Sequence, residues 1–321
     1  MPAAELIQLN LLSPPILCFV LGCLATLVRS DLRFPEPLYQ ALSIYLLLAI
    51  GVKGGAALAS GAGSGVWPPL LAAVALSAAT PLWCYPLLRF LLRMNRADAG
   101  ALSAHYGSVS VVTFFAAIAF LQALREPFEG FLPAMVALME VPGIVVALLL
   151  AQRGSGGVST WHGAIRSVLV GKSVFLLLGG IMVGALSGPS GLAKVDGFFV
   201  LPFHGVLCLF LLEMGMVASR RFSDFRKVGL PLIVFGVVVP VAHAALGIYL
   251  GQMCGLSRGG AFVFGALAAS ASYIAAPATI RLALPQANPA YYLTAALAIT
   301  FPFNLTVGIP LYYALSGWFY S

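Results

Sequence analysis

Two short polar stretches inside apolar sequence hold the residues best able to do chemistry: Gly107, Ser108 and Ser110 with Thr113, and Ser270, Ala271, Ser272 and Tyr273. Serines two positions apart point about 200° apart on a continuous helix but share one face of an extended stretch, so the spacing predicts a break in each helix. A break in lipid strands N–H and C=O groups at a cost of several kcal/mol, roughly, unless protein, water or a substrate pairs them. Helix N-termini present unpaired amides and about half a positive charge each. Two half-helices meeting N-end to N-end, with serine and threonine hydroxyls as further donors, would therefore hold a small oxyanion without Arg or Lys. A second set, Glu140, Thr300, Asn304 and Ser272, offers the carboxylate, amide and hydroxyl oxygens that satisfy a hard cation such as Na⁺. A cation there would offset the charge of a bound anion.

Each feature also has a plainer explanation. Ser, Gly and Ala are enriched wherever membrane helices pack closely, and a tyrosine such as Tyr273 can be a packed aromatic with a bonded hydroxyl. Recurrence of the polar stretch at matched positions favours a binding site. Lys53 and Glu213 are two further ionisable groups within apolar spans, which default to functional candidates. A mutual ion pair, or a lysine snorkelling to the outer interface, is the structural alternative for them.

These residues must be positioned by a duplicated architecture. Ser108 recurs as Ser270, Pro142 as Pro302, Pro81 as Pro240 and Gly51 as Gly215, at offsets of 162, 160, 159 and 164 residues. Apolar segments fall at about 13–29, 37–57, 67–93, 98–124, 130–152, 164–187, 198–219, 228–253, 258–283 and 289–318. Each reaches or nears the ~20 residues needed to cross the hydrocarbon core, which predicts an all-α membrane protein of ten helices, five per repeat. An odd number per repeat inverts the second copy, so 1–155 and 156–321 read as inverted repeats with discontinuous fourth and ninth helices that cross. In the fourth and ninth helices, a Gly or Pro beside polar residues marks the substrate site of such transporters.

Composition agrees. Apolar residues make up 61% of the chain and charged residues 8%, with a mean hydropathy of +1.00, where a soluble domain carries roughly 25% charge. Basic residues cluster on alternate loops: Arg29 and Arg33, Arg89 to Arg96, Arg153 and Arg166, Arg220 to Lys227, and Arg281 lie on one side. Lys53, Arg125, Lys194 and Arg258 lie on the other. By the positive-inside rule the first side is cytoplasmic and both termini are outside. The net charge of +7 is mostly this bias, and cations split among short loops do not make a nucleic-acid groove. The first helix is expected to be retained, since no basic leader and cleavage pattern precede it. The five cysteines and four histidines lack disulfide or metal-ligand spacing. No nucleophile, base and oxyanion set can be assembled from the His and Ser positions, which argues against an enzyme. The Gly- and Ser-rich run 151–167 reads as a flexible link between the repeats.

The chain resembles the SbtA-type sodium-dependent bicarbonate transporters of cyanobacteria and other bacteria almost from end to end. The stretches that carry the resemblance are LNLLSPPILCFVLG, RFPEPLYQALSIYLLLAIGVKGG, GSVSVVTFFAA, LMEVPGIVVA, EMGMVAS, SASYIAAPATIRLALPQANPAYY and VGIPLYYAL. The resemblance implies an inner-membrane symporter that takes up HCO₃⁻ with Na⁺, in the manner of a CO₂-concentrating mechanism. It also implies a homotrimer in the bilayer and a cytoplasmic PII-like regulator, with no cofactor other than the coupling sodium ion. It further implies a transport core of 67–152 and 228–318 moving against a scaffold of 13–57 and 164–219. Against the family pattern this chain has Val111-Val112 for Gly-Ser, Tyr273 for Asp, Glu140 for Asp, and a shorter repeat linker. Those departures keep two variants open: a symporter of another small monoanion, and a non-transporting paralogue acting as a membrane-bound binding subunit.

Overall fold

The structure, a computed structural model, describes residues 3–61, 64–152, 166 and 170–320, and is helical throughout without strands among them. The helices are α1 (Ala3–Leu11), α2 (Pro14–Leu27), α3 (Glu36–Gly61), α4 (Trp67–Pro86), α5 (Arg96–Gly107), α6 (Val111–Leu124), α7 (Leu132–Met139) and α8 (Pro142–Gln152). They continue as α9 (Lys172–Ala193), α10 (Asp196–Phe199), α11 (Phe203–Ser219), α12 (Phe225–Met253), α13 (Arg258–Ala268), α14 (Ala275–Ala283) and α15 (Pro289–Phe319). The repeat boundary and most of the 151–167 link lie outside the described residues.

Eight stretches among the described residues are long and apolar enough to cross a membrane, and α1 with α2 makes a ninth if that pair, bent by 65°, counts as one span. The expected segment 258–283 is divided: α13 and α14 are each too short to cross alone, with residues 269–274 between them. The expected segment 98–124 is likewise divided into α5 and α6 at residues 108–110, and 130–152 into α7 and α8 at Glu140–Val141. The expected segment 164–187 is displaced, since its helix runs over Lys172–Ala193. Hydropathy averages over a window and cannot see where the chain leaves helical geometry.

Glycine sets two of the closest helix pairs. Lipid tails are as apolar as leucine, so helices associate by close packing, and small residues allow it. Between α3 and α9, a Cβ on Gly51 would lie 2.9 Å from Gly180 Cα, one on Gly55 2.0 Å from the Ile181 carbonyl oxygen, and one on Gly184 2.1 Å from that of Val52. Between α2 and α11, a Cβ on Gly22 would stand 1.9 Å from the Leu212 carbonyl oxygen and one on Gly215 2.0 Å from that of Phe19. Backbone blocks the added atom in each case, so the helices must separate to admit it. Gly55→Leu is expected to lower the melting temperature of purified protein by roughly 5 °C or more, the scale of an overpacked contact. An unchanged melting curve would show that α3 and α9 can part without cost.

Helix α15 departs from α geometry twice, with π-type turns over Thr294–Thr300 and Asn304–Gly308. Such turns free carbonyl groups, and they recur at functional sites. The Leu305 carbonyl is taken by the Asn10 amide at 2.6 Å, which fastens α1 against α15.

Candidate functional site: two broken helices that meet

Helix α5 begins on Asn95, whose side-chain oxygen accepts from the Asp98 amide at 2.8 Å. It ends at Gly107, where the chain is held from outside. The Ser77 hydroxyl of α4 lies 2.8 Å from the Gly107 carbonyl and 2.9 Å from that of Met139, and it accepts from the Gly143 amide at 3.1 Å. A Cβ on Gly143 would sit 2.0 Å from the Gly107 carbonyl oxygen, so only glycine allows α8 to approach this helix end. Ser108 and Ser110 are extended (ψ 169° and 112°), as their spacing predicts, and Ser110 then caps α6 by accepting from the Thr113 amide at 3.2 Å. In the second break, the Ser270 hydroxyl donates to the Leu267 carbonyl at 2.7 Å and the Asn304 amide to that of Ala269 at 3.0 Å. Ser272 accepts from the Ala276 amide at 3.2 Å, on the first turn of α14.

The two breaks are stitched together. The Ser110 amide donates to Ser270 Oγ at 2.8 Å, and the Ser272 amide donates to the His105 carbonyl at 2.8 Å. The His105 ring returns the bond, with Nδ1 2.5 Å from the Ser272 carbonyl, which can only accept. Ala271 lies between these contacts, 2% exposed. Gly107, Ser108, Ser110, Thr113 and Ser270 to Tyr273 thus form one locality built from segments 160 residues apart, by the Ser110 to Ser270 contact.

A count of hydroxyl protons separates the four serines. Ser108 donates to the Glu140 carbonyl at 3.0 Å and Ser270 to Leu267, so their protons are committed to backbone. Ser110 and Ser272 accept from backbone amides, and among the described residues no backbone carbonyl takes either proton. Among the described residues the buried Thr113 hydroxyl has no partner, and the Tyr273 hydroxyl stands beside Ser110 as the group that an anion would displace from the Ser110 proton. The Tyr273 ring packs against Phe301 at 5.0 Å between centroids. The N–H groups of Val111 and Val112 open α6 without an intrahelical acceptor. Hydroxyl groups and helix amides are thus gathered in a buried place where, among the described residues, the His105 ring is in contact and no Lys or Arg hydrogen-bonds to the four serines.

Of the oxygen set, Glu140 stands at the α7–α8 junction, 1% exposed, and its Oε2 has no partner among the described residues. An uncompensated buried carboxylate is costly, so this oxygen calls for a proton or a cation. Thr300 and Asn304 are already engaged. Thr300 Oγ1 donates to the Gly236 carbonyl at 2.7 Å and lies 2.7 Å from the Tyr106 hydroxyl. Asn304 accepts from the Tyr312 hydroxyl at 2.7 Å while bracing Ala269. Among the described residues no hydrogen bond joins Glu140 to Thr300 or Asn304. Glu140 borders the first break, through the Ser108 contact, and Asn304 the second, through Ala269. No salt bridge joins Lys53 to Glu213 among the described residues; Lys53 lies over the Phe203 ring, 5.3 Å from its centre.

Ser77, Gly143, Tyr106 and Tyr312 do structural work at the site that the sequence did not assign to them. Ser77 is a lone serine in an apolar span, the type of residue that most often bonds its own helix. His105 lies in the fourth segment without metal-ligand spacing, and the partner of its ring is a carbonyl 167 residues away, beyond the reach of any local pattern. A family model described as the Na⁺-dependent bicarbonate transporter superfamily matches residues 14–317 of the chain. No curated protein matches it.

Proposed function

The chain belongs to the Na⁺-dependent bicarbonate transporter superfamily, and from that premise we propose that it takes up bicarbonate with Na⁺ across the inner membrane by alternating access. The observation that carries this reading is the meeting of two helix breaks in which the Ser110 and Ser272 hydroxyl protons are not committed to backbone, with Glu140, whose Oε2 has no partner among the described residues, bordering the first break through Ser108. Bicarbonate offers oxygens to accept from those hydroxyls and from the first amides of α6 and α14. Glu140 is the cation ligand, with Thr300, Asn304 and Ser272 contributing as the core rearranges. A membrane-buried carboxylate without a partner suits a site that fills and empties during a cycle.

Helix pairing supports the inverted repeat within this reading. The first expected helix (α2) packs on the seventh (α11), and the sixth (α9) packs on the second (α3), which is the exchange a pseudo-twofold axis requires. On the same basis we assign ten crossings, counting α1–α2 and α13–α14 as one each. The fourth and ninth, with the third, fifth, eighth and tenth, form the moving core. The remaining helices form a scaffold that trimerises, with both termini outside. The PII-like regulator would dock on the cytoplasmic face, and mass photometry with and without such a protein tests both assemblies.

Uptake of radiolabelled HCO₃⁻ into liposomes under an inward Na⁺ gradient, against K⁺, tests the transport reading. Accumulation at least tenfold above the K⁺ control is the expected result. Equal accumulation with Na⁺ and K⁺ would refute the coupling. No uptake by folded, oriented protein would refute bicarbonate transport and favour another monoanion or a non-transporting relative.

A further inference from the structure

A cavity of about 530 Å³ lies between α3 and α9 on one side and α6 and α7 on the other, and none of the four serines of the helix breaks lines it. Its walls are apolar, with Ile50, Phe114, Ile118, Phe128 and Leu192 contributing, and its one basic residue is Lys53. Lys53 stands eight residues before the end of α3 at Gly61, about 12 Å along the axis. That depth exceeds what a lysine at a helix end needs to reach the interface. Its ammonium lies over the Phe203 ring with His204 near enough to feel its charge, and among the described residues no carboxylate lies within salt-bridge distance; Asp196, exposed on the same cavity, is not paired with it. The Gln122 side chain faces the same space with its amide oxygen buried and unbonded, and turning the amide end for end would present its NH₂ group instead.

We propose that this cavity is a second anion site, for a medium-chain aliphatic monocarboxylate whose head sits on Lys53 and Gln122 and whose tail lies along the apolar walls. Ligand pockets are typically about 300–1,000 Å³, mostly apolar, with a few polar groups that fix orientation, and this cavity has that make-up. Bicarbonate has no apolar body to use such walls. A filled cavity braces α3 and α9 apart from α6 and α7; resting on the transport reading above, its occupant inhibits uptake.

Calorimetric titration of octanoate into the full chain in zwitterionic lipid nanodiscs, with empty nanodiscs as the partition control, tests binding without requiring transport. Saturable binding is expected, at least tenfold weaker for Lys53→Gln and retained by Lys53→Arg. Octanamide, with the same tail and no charge, should bind at least tenfold more weakly to the unaltered protein, a comparison that stands even if a variant fails to fold. Equal binding of octanamide and octanoate, or an undiminished Lys53→Gln, would overturn the assignment. Palmitate binding tighter than octanoate would overturn the length limit and point to a bilayer fatty acid. Octanoate binding without inhibition of a measurable HCO₃⁻ uptake would remove the bracing role alone, and absent uptake would bear on the transport reading alone.

Discussion

Replacement of both Ser110 and Ser272 by alanine is expected to reduce HCO₃⁻ uptake to background. Each hydroxyl retains a proton for the anion, and a hydrogen bond to a charged group is worth about 1.5–3 kcal/mol, or roughly tenfold to a hundredfold in affinity per serine. The effect separates from general damage through Ser108→Ala. Ser108 lies in the same break, equally buried, but its proton is committed to the Glu140 carbonyl. Ser108→Ala should therefore leave the apparent KM for bicarbonate within about threefold, while either Ser110→Ala or Ser272→Ala raises it by tenfold or more. Loss of each cap costs about 1 kcal/mol of stability as well, so thermal unfolding must accompany the kinetics. If Ser108→Ala raised KM as much as the other two, the proton count would not describe the anion site.

Glu140→Gln is expected to abolish the stimulation of uptake by Na⁺ while preserving side-chain volume. A stability measurement reads the same site without transport. A ligand that binds only the folded protein stabilises it by RT ln(1 + [L]/Kd), about 2.7 kcal/mol at a hundredfold excess over Kd. Na⁺ should accordingly raise the melting temperature of the unaltered protein relative to K⁺ at equal ionic strength, and should fail to do so for Glu140→Gln. In the absence of Na⁺ the Gln variant should be at least as stable as the parent, because it removes a buried carboxylate oxygen with no partner. A Na⁺ shift that survives in Glu140→Gln would place the cation elsewhere.

The two broken helices were legible because the polar residues in them violate helical economy. Serines at i and i+2, Gly107 and Pro277 within apolar stretches are a poor way to continue a helix and a good way to leave one, and both stretches carry the pattern. Glu140 was legible for a similar reason, since an acid inside an apolar span needs an explanation from its surroundings. Membrane class and approximate span positions follow from composition and hydropathy alone, because the hydrocarbon thickness sets element length.

What only the tertiary structure decided is how each polar group is used. Ser108, Ser110, Ser270 and Ser272 are chemically identical in the sequence, yet two have committed protons and two do not, which depends on carbonyls supplied by other helices or turns. The sequence offers Asn304 as an oxygen ligand, and the structure adds that its amide is bonded at both ends, to Ala269 and Tyr312. Ser77, His105 and Gly143 act across contacts 30 to 167 residues long. The sequence by itself determined where the chain is apolar and where it must break, since those are local balances of solvation and backbone hydrogen bonding. Which donors and acceptors remain free is a property of pairs, and a pair exists only once the chain has brought distant backbone within 3 Å or so.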